Sequence, residues 1–357
     1  MKKKVVVGMS GGVDSSVAAL ILKEQGYDVI GVTMQIWQDE DYCDMSENGG
    51  CCGLSAVDDA RRVADVIGIP YYVMNLKKEF RTNVIDYFIR EYLEGRTPNP
   101  CIACNRYVKW EALLHRSLSI GADYIATGHY GKIAQLDNGR FAVTKSASSN
   151  KDQSYVLYNL SQEELSRTLF PLSSMEKDEV RKIAEQAGLP VAHKKDSQDI
   201  CFIPDGDYAK FIEQETGISS TPGNFVDTKG NILGQHTGII HYTVGQRKGL
   251  GIAFGEPRYV IRLNVKDNEV VLGTLEELMS KEVYVRDVNY MALPNISEPL
   301  KVTGKVRYSA KDVPCTVFPE KDGMVKAVFD EPVRAATPGQ AAVFYLGDNI
   351  VCGGSII

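Results

Sequence analysis

The chain has 357 residues, of which 44% are hydrophobic and 24% are charged. This composition is that of an ordinary globular protein and excludes collagen, a coiled coil and an intrinsically disordered chain. At roughly 100–200 residues per domain, the length predicts two or three domains. The formal net charge of −6 argues against a nonspecific nucleic-acid binder, although it leaves room for a local basic face.

The N-terminal segment and the cysteine content indicate the compartment. No apolar segment approaches the ~18–20 residues of a membrane-spanning helix. Met1 and three lysines are followed by only three valines and then by glycines, which indicates a short buried strand rather than a signal peptide. We therefore expect a cytoplasmic protein without a membrane partner. There, eight cysteines are more often metal-binding, catalytic or buried than disulfide-bonded.

Strands and helices alternate through the first half of the chain. Apolar runs predict strands at residues 4–8, 28–34, 71–76 and 123–127. Helical periodicity predicts helices at residues 14–25, 55–67, 77–93, 104–118 and 176–187. Alternation with apolar strands predicts an α/β domain with a parallel sheet that is covered on both faces.

The second half of the chain consists of short strand-like segments separated by turns. Residues 223–251 are rich in Gly, Thr, Ile and Val, with a turn at 229–231. Seven further strand-like segments lie at residues 258–263, 269–272, 283–290, 300–308, 315–318, 324–329 and 341–346. Their spacing predicts a β-barrel or a sandwich. We expect an α/β domain at 1–205, a small β-rich central domain at 206–275 and a C-terminal β-barrel at 276–357.

A glycine-rich loop at residues 8–16 connects the first predicted strand to the first helix. Glycines let a backbone approach an anion, and amides at a helix start supply donors and the positive end of the helix dipole. The loop lacks the lysine of a Walker motif and the Gly-x-Gly-x-x-Gly spacing of a dinucleotide-binding motif. For two adjacent glycines alone, a plain turn is the alternative.

The Ser-Gly-Gly-x-Asp-Ser sequence of this loop resembles the pyrophosphate loop of ATP pyrophosphatases. That resemblance implies ATP with Mg²⁺ on its phosphates, transfer of AMP to an oxygen atom of the substrate, and release of pyrophosphate. Asp14 would help to hold the metal, but it has an equally good structural role as an acid at a helix N-terminus.

Five cysteines outside the acidic insertion suggest two different roles. Cys101 and Cys104 form a Cys-x-x-Cys pair after a Pro-Asn-Pro segment, and Cys201 lies far along the chain. We predict that a helix begins near Cys104, where its N-terminus would raise the thiolate fraction. Sulfur transfer needs two thiols, one to carry a sulfane sulfur and one to displace it. A thioredoxin-like motif is an alternative, whereas Cys315 and Cys352 are interpreted as buried and inert.

Three further cysteines, Cys43, Cys51 and Cys52, lie in an acidic, glycine-rich insertion at residues 38–53. A structural zinc site would need a second cysteine pair or histidines at ligand spacing, which this insertion does not supply cleanly. Metal capture and a mobile lid both remain open for it.

Several motifs together make the chain similar to the bacterial tRNA-specific 2-thiouridylases over nearly its whole length. The matching segments are residues 8–16, 97–100, 104–105, 127–130, 151–155, 196–202, 242–251 and 337–340. The resemblance implies a pyrophosphate-loop (adenine-nucleotide alpha-hydrolase-like) fold and the ATP-dependent conversion of the wobble uridine of tRNA (position 34) into 2-thiouridine. Adenylation of O2 comes first, and AMP and pyrophosphate are released. The implied substrates are the tRNAs for Lys, Glu and Gln, recognised at the anticodon loop.

The resemblance also implies the residues of the site. Those implied for ATP are Gly8, Met9, Ser10, Gly11, Gly12, Val13, Asp14, Ser15, Met34 and Gly128. A cysteine desulfurase, directly or through a sulfur carrier, would load Cys201 with a persulfide, and Cys104 would release the sulfur and end in a disulfide with Cys201. The residues implied for the target base are Asn99, Pro100 and Cys101. Those implied for the rest of the tRNA are His129, Lys151, Asp152, Gln153, Arg307, Tyr308 and Gln340.

Position 101 departs from part of that family, because many relatives have aspartate where this chain has Cys101. An acid there would serve as a general acid or base, and a thiol serves poorly. Three thiolates, from Cys101, Cys104 and Cys201, would instead suit an iron–sulfur cluster with an open iron that binds the incoming sulfur. A small side chain near the base is the third interpretation.

A group of cations in the C-terminal half suggests a track for RNA phosphates. Lys301, Lys305, Arg307 and Lys311 have the same parity, so as one strand they would project from one face, with no acid among residues 301–311. Lysines are also common on solvent-exposed edge strands, where they prevent pairing with another chain. The RNA substrate that the resemblance implies favours the other interpretation, contact with phosphates. Weaker versions of the same signal are Lys194, Lys195, Arg247 and Lys248.

Three other functions share parts of the pattern. Another pyrophosphate-loop enzyme, such as an amide-forming ligase, would leave Cys104 and Cys201 without a role. A noncatalytic RNA-binding protein with a nucleotide switch would retain function without Cys104. A metal or redox protein built on the Cys-x-x-Cys pair would bind metal and would not depend on ATP.

Overall fold

The computed structural model describes residues 2–36, 54–147, 151–195, 200–252 and 255–357. The cysteines of the 38–53 insertion and residues 196–199 of the segment before Cys201 therefore lie outside the described residues. The chain divides into two compact units, each taken here over its described residues. Unit 1 contains Met1–Ile85, Pro100–Gly206 and Asp348–Ile350, and unit 2 contains Asp86–Asn99, Asp207–Gly347 and Val351–Ile357.

The regular elements are numbered here in chain order. The strands are β1 Lys4–Gly8, β2 Asp28–Gln35, β3 Tyr71–Asn75, β4 Tyr124–Ala126, β5 Lys132–Gln135, β6 Phe141–Thr144, β7 Thr168–Leu169, β8 Gly223–Asp227, β9 Ile232–His236, β10 Tyr259–Asn264, β11 Glu269–Gly273, β12 Met279–Tyr290, β13 Leu300–Lys305, β14 Val313–Pro319, β15 Val325–Arg334, β16 Ala341–Leu346 and β17 Asn349–Ile356. The α-helices are α1 Val13–Glu24, α2 Leu54–Ile67, α3 Lys77–Phe80, α4 Asp86–Leu93, α5 Pro100–Ala103, α6 His115–Ser119, α7 Gln162–Ser166, α8 Lys177–Gln186, α9 Tyr208–Thr216 and α10 Leu275–Leu278. Wider π-helical turns occupy Arg81–Ile85 and Cys104–Leu114, and 3₁₀ turns occupy Ser154–Leu157, Ile239–His241 and Lys321–Gly323.

A parallel sheet forms the centre of unit 1. Within the described part of that unit its order is β3-β2-β1-β4-β7, and every neighbouring pair is parallel. The three valines of β1 are completely buried, because helices cover both faces of a parallel sheet. On one face α1 packs against α2 and α8, and their small and branched side chains share one core with β1. The predicted α/β fold is confirmed.

Unit 2 contains two β-structures. The first is a four-stranded sheet, counted over described residues, in the order β10-β11-β8-β9, with one parallel pair between β11 and β8. The second is a barrel of six described strands in the order β12-β15-β14-β13-β16-β17, which closes through pairing of β12 with β17. The predicted β-rich region and C-terminal barrel are confirmed. No helix in the described part of the chain has the length and hydropathy to cross a bilayer.

The barrel core contains Cys315 and Cys352, as predicted. Both side chains are buried, and burial raises the pKa of each thiol to about 12. A thiol with such a pKa is almost entirely protonated at neutral pH, so neither side chain is a nucleophile.

A buried ion pair holds the end of α4 in unit 2. The Glu91 carboxylate is 5% exposed and accepts two hydrogen bonds from Arg96, from Nε at 2.6 Å and from Nη2 at 2.7 Å. A bidentate pair of this kind compensates the desolvation of the carboxylate. The chain leaves this pair directly toward Thr97, whose amide donates to the Pro338 carbonyl at 2.8 Å.

Replacing Arg96 by alanine is expected to lower the free energy of unfolding by about 3–5 kcal/mol, because it leaves the buried Glu91 carboxylate without its partner. Urea denaturation followed by circular dichroism measures this loss. The matched control is Arg61→Ala, which removes an exposed pair with Asp58 and should change stability by no more than about 0.5 kcal/mol. Equal losses in the two variants would contradict the structural role of the Glu91–Arg96 pair.

Candidate functional site

The glycine-rich loop lies where β1 ends and α1 begins. Gly12 precedes α1 in an extended conformation, and no described side chain caps this helix end. The Ser15 hydroxyl donates to the Gly12 carbonyl at 3.2 Å and accepts from the Ser10 amide at 3.1 Å, which folds the loop over the helix start. The first-turn amides and the positive end of a twelve-residue helix fit a bound phosphate.

Two glycines keep this region tightly packed. Gly11 has a φ of 69°, and a Cβ atom there would lie 2.5 Å from the Ala56 carbonyl oxygen. A Cβ atom on Gly128, which follows β4, would lie 2.6 Å from the Ser15 amide nitrogen. The structure therefore brings Gly128 against the loop, and only glycine fits at either position.

Two of the residues implied for ATP, Met9 and Val13, have buried side chains. The Met9 side chain is 1% exposed and the Val13 side chain 3% exposed, so both belong to the core of unit 1. The Met9 amide donates to the Val32 carbonyl at 2.8 Å, and the Met9 carbonyl accepts from the Thr33 hydroxyl at 2.7 Å. Met34 lies at the carboxyl end of β2 and is partly exposed.

The Asp14 carboxylate is held by the protein itself. Lys177 Nζ lies 2.8 Å from both carboxylate oxygens, and the Tyr130 hydroxyl donates to one of them at 2.8 Å. The carboxylate thereby ties α1 to the start of α8 and to the segment after β4. Because both carboxylate oxygens already have partners within the protein, this geometry supports the structural role of Asp14 rather than a role as a metal ligand.

Lys194 also contacts the loop. Its ammonium lies 2.8 Å from the Asp59 carboxylate and 3.2 Å from the Gly11 carbonyl oxygen. The sequence pattern places Lys194 among weak RNA-binding signals and gives no sign that Lys177 or Tyr130 contacts the loop. No local pattern indicates these contacts, because 116–183 residues separate the partners along the chain.

The Cys-x-x-Cys pair lies on a helix that begins earlier than expected. Helix α5 starts at Pro100, which suits a first helical position because proline has no amide to satisfy there. Ala103 is already helical, with φ −62° and ψ −43°, so the prediction that the helix begins near Cys104 is wrong. Cys101 is exposed, Cys104 is half-buried, and a helix N-terminus at Cys104 is not the source of any thiolate stabilisation.

Two asparagine side chains fasten this helix to the 154–159 segment. Asn105 is buried and donates through Nδ2 to the Val156 carbonyl at 2.8 Å. Asn159 donates to the Ile102 carbonyl at 3.3 Å. The buried hydrogen bond of Asn105 therefore helps to fix the position of Cys104, its neighbour in sequence.

Cys201 lies on a turn at the surface of unit 1. The Ile203 amide donates to the Ile200 carbonyl at 2.9 Å, and Phe202 packs edge-on against Phe80 with ring centroids 5.6 Å apart. Phe202 and Ile203 are buried while Cys201 is exposed. Neither Cys201 nor Cys104 is in a disulfide.

His129 is packed between aromatic rings and contacts a lysine. Its ring centroid lies 5.7 Å from that of Trp110 and 6.0 Å from that of Phe170. Desolvation, with the nearby Lys109 ammonium as a smaller cause, lowers the pKa of His129 well below its usual value. The neutral ring suits its contacts, since Nε2 lies 3.4 Å from Lys109 Nζ and Nδ1 lies 2.7 Å from the Thr127 hydroxyl.

The side chains of Asp152 and Gln153 have partners within the protein. The Asp152 carboxylate accepts from the amides of Ser146 and Ser154, at 2.9 and 3.2 Å. Gln153 and Tyr130 are joined by two hydrogen bonds. The side-chain oxygen of Gln153 accepts from the Tyr130 backbone amide, and the Gln153 backbone amide donates to the Tyr130 carbonyl. Asp152 and Gln153 thus shape the backbone, and Lys151 is the member of this segment with a charge that suits RNA.

The implied RNA contacts of unit 2 begin at the end of β13. That strand ends at Lys305, so the predicted extension of one face to residue 311 is wrong. Arg307 begins a turn, its carbonyl accepting from the Ala310 amide at 3.1 Å, and Tyr308 is 44% exposed. The Arg307 guanidinium donates to the Val244 carbonyl at 2.6 Å, and it also donates to Ala335 and Thr337.

Gln340 contacts the segment that leads to the implied base-binding residues. Its Nε2 donates to the Thr97 carbonyl at 2.7 Å, and Gly339 packs directly against the Thr97 backbone. Asn99, two residues later, is the last residue of this part of unit 2, and Pro100 begins the next part of unit 1.

No metal-ligand group is present among the side chains that the structure describes. None of their groups of three or more His, Cys, Asp or Glu is arranged to hold a metal ion. The described structure does not group the thiols of Cys101, Cys104 and Cys201 as metal ligands, and the iron–sulfur ligand set stays a prediction.

Comparisons with known proteins agree along the whole chain. Residues 3–205 match the family described as "tRNA methyl transferase HUP domain". Residues 209–274 match the "tRNA methyl transferase PRC-barrel domain", and residues 280–357 match the "Aminomethyltransferase beta-barrel domain". Two similar proteins bear the name "tRNA-specific 2-thiouridylase MnmA". The one from Lachnoclostridium phytofermentans is 62% identical over 99% of both chains. The one from Acetivibrio thermocellus is 59% identical over 99% of both chains.

Replacing Gly128 by alanine is expected to weaken ATP binding at least about tenfold, because the new methyl group would displace the first turn of α1. Isothermal titration calorimetry measures the affinity, and circular dichroism checks that the variant is folded. The control is Gly139→Ala, at a glycine with φ 81° and no atom within 4 Å of the added carbon. It should cost some stability yet keep wild-type affinity, and wild-type affinity in Gly128→Ala would refute this account of the loop.

Acid is expected to destabilise the protein through His129. Its pKa is lowered in the folded state, so its contribution is complete above the unfolded pKa and is lost as the pH falls below that value. Between pH 7.5 and 5.5 the loss reaches at most about 1.4 kcal/mol, the free energy of one pH unit. Urea denaturation at both pH values should show this loss in wild type and in the control His193→Gln, whose side chain is 85% exposed. The same loss in His129→Gln would contradict the assignment.

Proposed function

The chain belongs to the tRNA-specific 2-thiouridylase family, and from that premise we propose that it converts the wobble uridine of tRNA (position 34) into 2-thiouridine at the expense of ATP. The observation that carries the proposal is that the phosphate loop and both candidate thiols, Cys104 and Cys201, belong to unit 1. Some family descriptions name methyl transfer, but that chemistry gives no role to two accessible or half-buried thiols.

The phosphate loop would carry out the activating step. Amides of the loop and of the first turn of α1 hold the phosphates of ATP, with Mg²⁺ as their counter-ion. The O2 atom of uridine attacks the α-phosphorus, and the bond to pyrophosphate breaks. The base is then adenylated at O2, so that C2 becomes electrophilic and AMP becomes its leaving group.

The two thiols would then complete the substitution. A cysteine desulfurase or a sulfur carrier loads Cys201 with a persulfide, and the terminal sulfur attacks C2 while AMP leaves with the electron pair of the C2–O bond. The Cys104 thiolate next attacks the Sγ atom of Cys201, and the S–S bond breaks toward the base. The products are 2-thiouridine and a Cys104–Cys201 disulfide, which an external thiol reduces.

The exposure of the two thiols supports this division of roles. Cys201 is exposed on a turn that Phe202 anchors, which suits the thiol that meets a sulfur-donor protein. Cys104 is half-buried on a fixed helix, which suits the resolving thiol. Cys101 would lie by the base as a small side chain.

Substrate binding would follow the rules for single-stranded RNA. A uridine within an anticodon loop must leave its stack to reach a pocket, and proteins read such bases by stacking and by contacts to their edges. Because the net charge is −6, local cations must supply the phosphate contacts. Lys151 is the proposed position of a phosphate contact, and the turn that contains Arg307 and Tyr308 is proposed to lie beside the RNA. The proposed substrates are the tRNAs for Lys, Glu and Gln.

A reconstitution assay tests the proposal. Wild-type protein is incubated with ATP, Mg²⁺, unmodified tRNA, cysteine and a cysteine desulfurase, and 2-thiouridine is measured by nucleoside mass spectrometry. We expect Cys104→Ser and Cys201→Ser to lose at least about 100-fold in rate, because each removes a group that forms a bond to sulfur. The control Cys315→Ala removes a buried barrel thiol and should keep wild-type activity.

Two further measurements separate the alternatives. Iron and acid-labile sulfide are determined on the same anaerobic samples, with Cys101→Ala beside them. Thiolation that needs ATP, Cys104 and Cys201 but no iron supports the persulfide route. A requirement for iron and Cys101 would replace that route by a cluster, and an inactive wild type would refute the proposed activity.

A further inference from the structure

We propose that Lys109 binds the α-phosphoryl group of the nucleotide, and so acts on both the adenylation and the departure of AMP. This inference rests on the proposed function for its role in the reaction, but the phosphate contact itself can be measured without tRNA.

Lys109 carries a charge that its neighbours do not neutralise. Its ammonium is partly buried and lies 2.9 Å from the Asn105 side-chain oxygen and 3.4 Å from His129 Nε2. Both partners are neutral, because asparagine is uncharged and burial lowers the pKa of His129. No carboxylate among the described residues pairs with Lys109. A half-buried cation without an acid is costly unless an anionic ligand completes its surroundings.

The other two lysines of this region provide the contrast. Lys177 is paired with Asp14 and Lys194 with Asp59, each at 2.8 Å. Their charges are already used to hold α8 and the segment at 194 against the loop. Of these three lysines, Lys109 is therefore the one whose positive charge no described carboxylate neutralises, so it can attract an anionic ligand.

The contacts of Lys109 connect the phosphate loop with the thiol helix. On one side His129 directly follows Gly128, which packs against the Ser15 amide at the start of α1. On the other side Asn105 directly follows Cys104. The loop amides would hold the pyrophosphate that leaves, whereas the α-phosphorus must face the base and the sulfur. A cation whose contacts lie next to both the loop and the thiol is therefore in a suitable position to bind the α-phosphoryl oxygens.

Both chemical steps place negative charge on that group. During adenylation the bond from O2 to phosphorus forms while the bond to pyrophosphate breaks, and charge develops on the α-phosphoryl oxygens. During sulfur transfer the C2–O bond breaks, and AMP takes its electron pair and becomes a dianion. A preorganised cation stabilises each of these changes. Asn105 and the neutral His129 ring hold the ammonium in place for them.

Binding of AMP and of adenosine tests the contact directly. The two ligands differ by the α-phosphate, so a residue that binds this group affects only AMP, whereas a residue that shapes the pocket affects both. We expect Lys109→Met to weaken AMP binding at least about tenfold, the value of a charge-assisted hydrogen bond, and adenosine binding less than about twofold. Lys109→Arg should keep most of the AMP affinity. Lys182→Met, on the exposed side of α8, is the matched control and should bind both ligands as wild type does.

The outcomes distinguish the inference from the proposed function. Equal losses for AMP and adenosine, or no loss for either, would overturn the phosphate contact. A loss confined to AMP supports it even when the wild type forms no 2-thiouridine, a result that would refute only the proposed activity. Where wild type is active, Lys109→Met should lower kcat while the KM for tRNA stays unchanged, and an unchanged kcat would overturn its role in the reaction.

Discussion

The parallel pairing of β1 with β4 is the constraint on which the candidate site depends. Val5, Val6 and Val7 lie in register with residues 124–126, so the segments after both strands leave the sheet at the same edge. One segment is the phosphate loop, and the other contains Gly128 and His129. On its other side β1 pairs with β2, so the strand order reverses at β1, and ligands of such sheets bind at the carboxyl edge at this point. The close contact between Gly128 and Ser15 follows directly from this topology.

The three lysines near this edge have two kinds of partner, carboxylates for two of them and neutral groups for the third. Asp14 and Asp59 neutralise Lys177 and Lys194, and these ion pairs hold distant segments against the loop. Neutral groups surround Lys109 instead. In a chain with a net charge of −6, the attraction for an anionic nucleotide must therefore come from helix amides and from specific side chains rather than from the overall field.

The sequence was most informative where a rule acts over short distances. The buried valines of β1, the loop after them and the barrel strand at 341–346 could all be predicted from local pattern. Helix α5 starts four residues before the predicted position, because proline is compatible both with the first turn of a helix and with an extended segment. The contacts of Lys109, Lys177 and Lys194 could not be predicted, since they join residues whose proximity depends on the strand order. The same holds for Gln153, whose pairing with Tyr130 is visible only in the fold.

Residues that a family resemblance connects with RNA need not bind it through their side chains. The Arg307 guanidinium serves protein carbonyls, and the Gln340 amide fixes the backbone at Thr97, two residues before Asn99. Asn99 is covalently continuous with Pro100 and Cys101, so the order imposed at Thr97 limits the conformations of the segment that the resemblance connects with the target base. A loss of thiolation on mutation of Gln340 would then report the position of this segment rather than a missing hydrogen bond to RNA. Direct contacts with phosphate suit a side chain whose charge no neighbouring group neutralises, and among the described residues Lys109 is such a side chain.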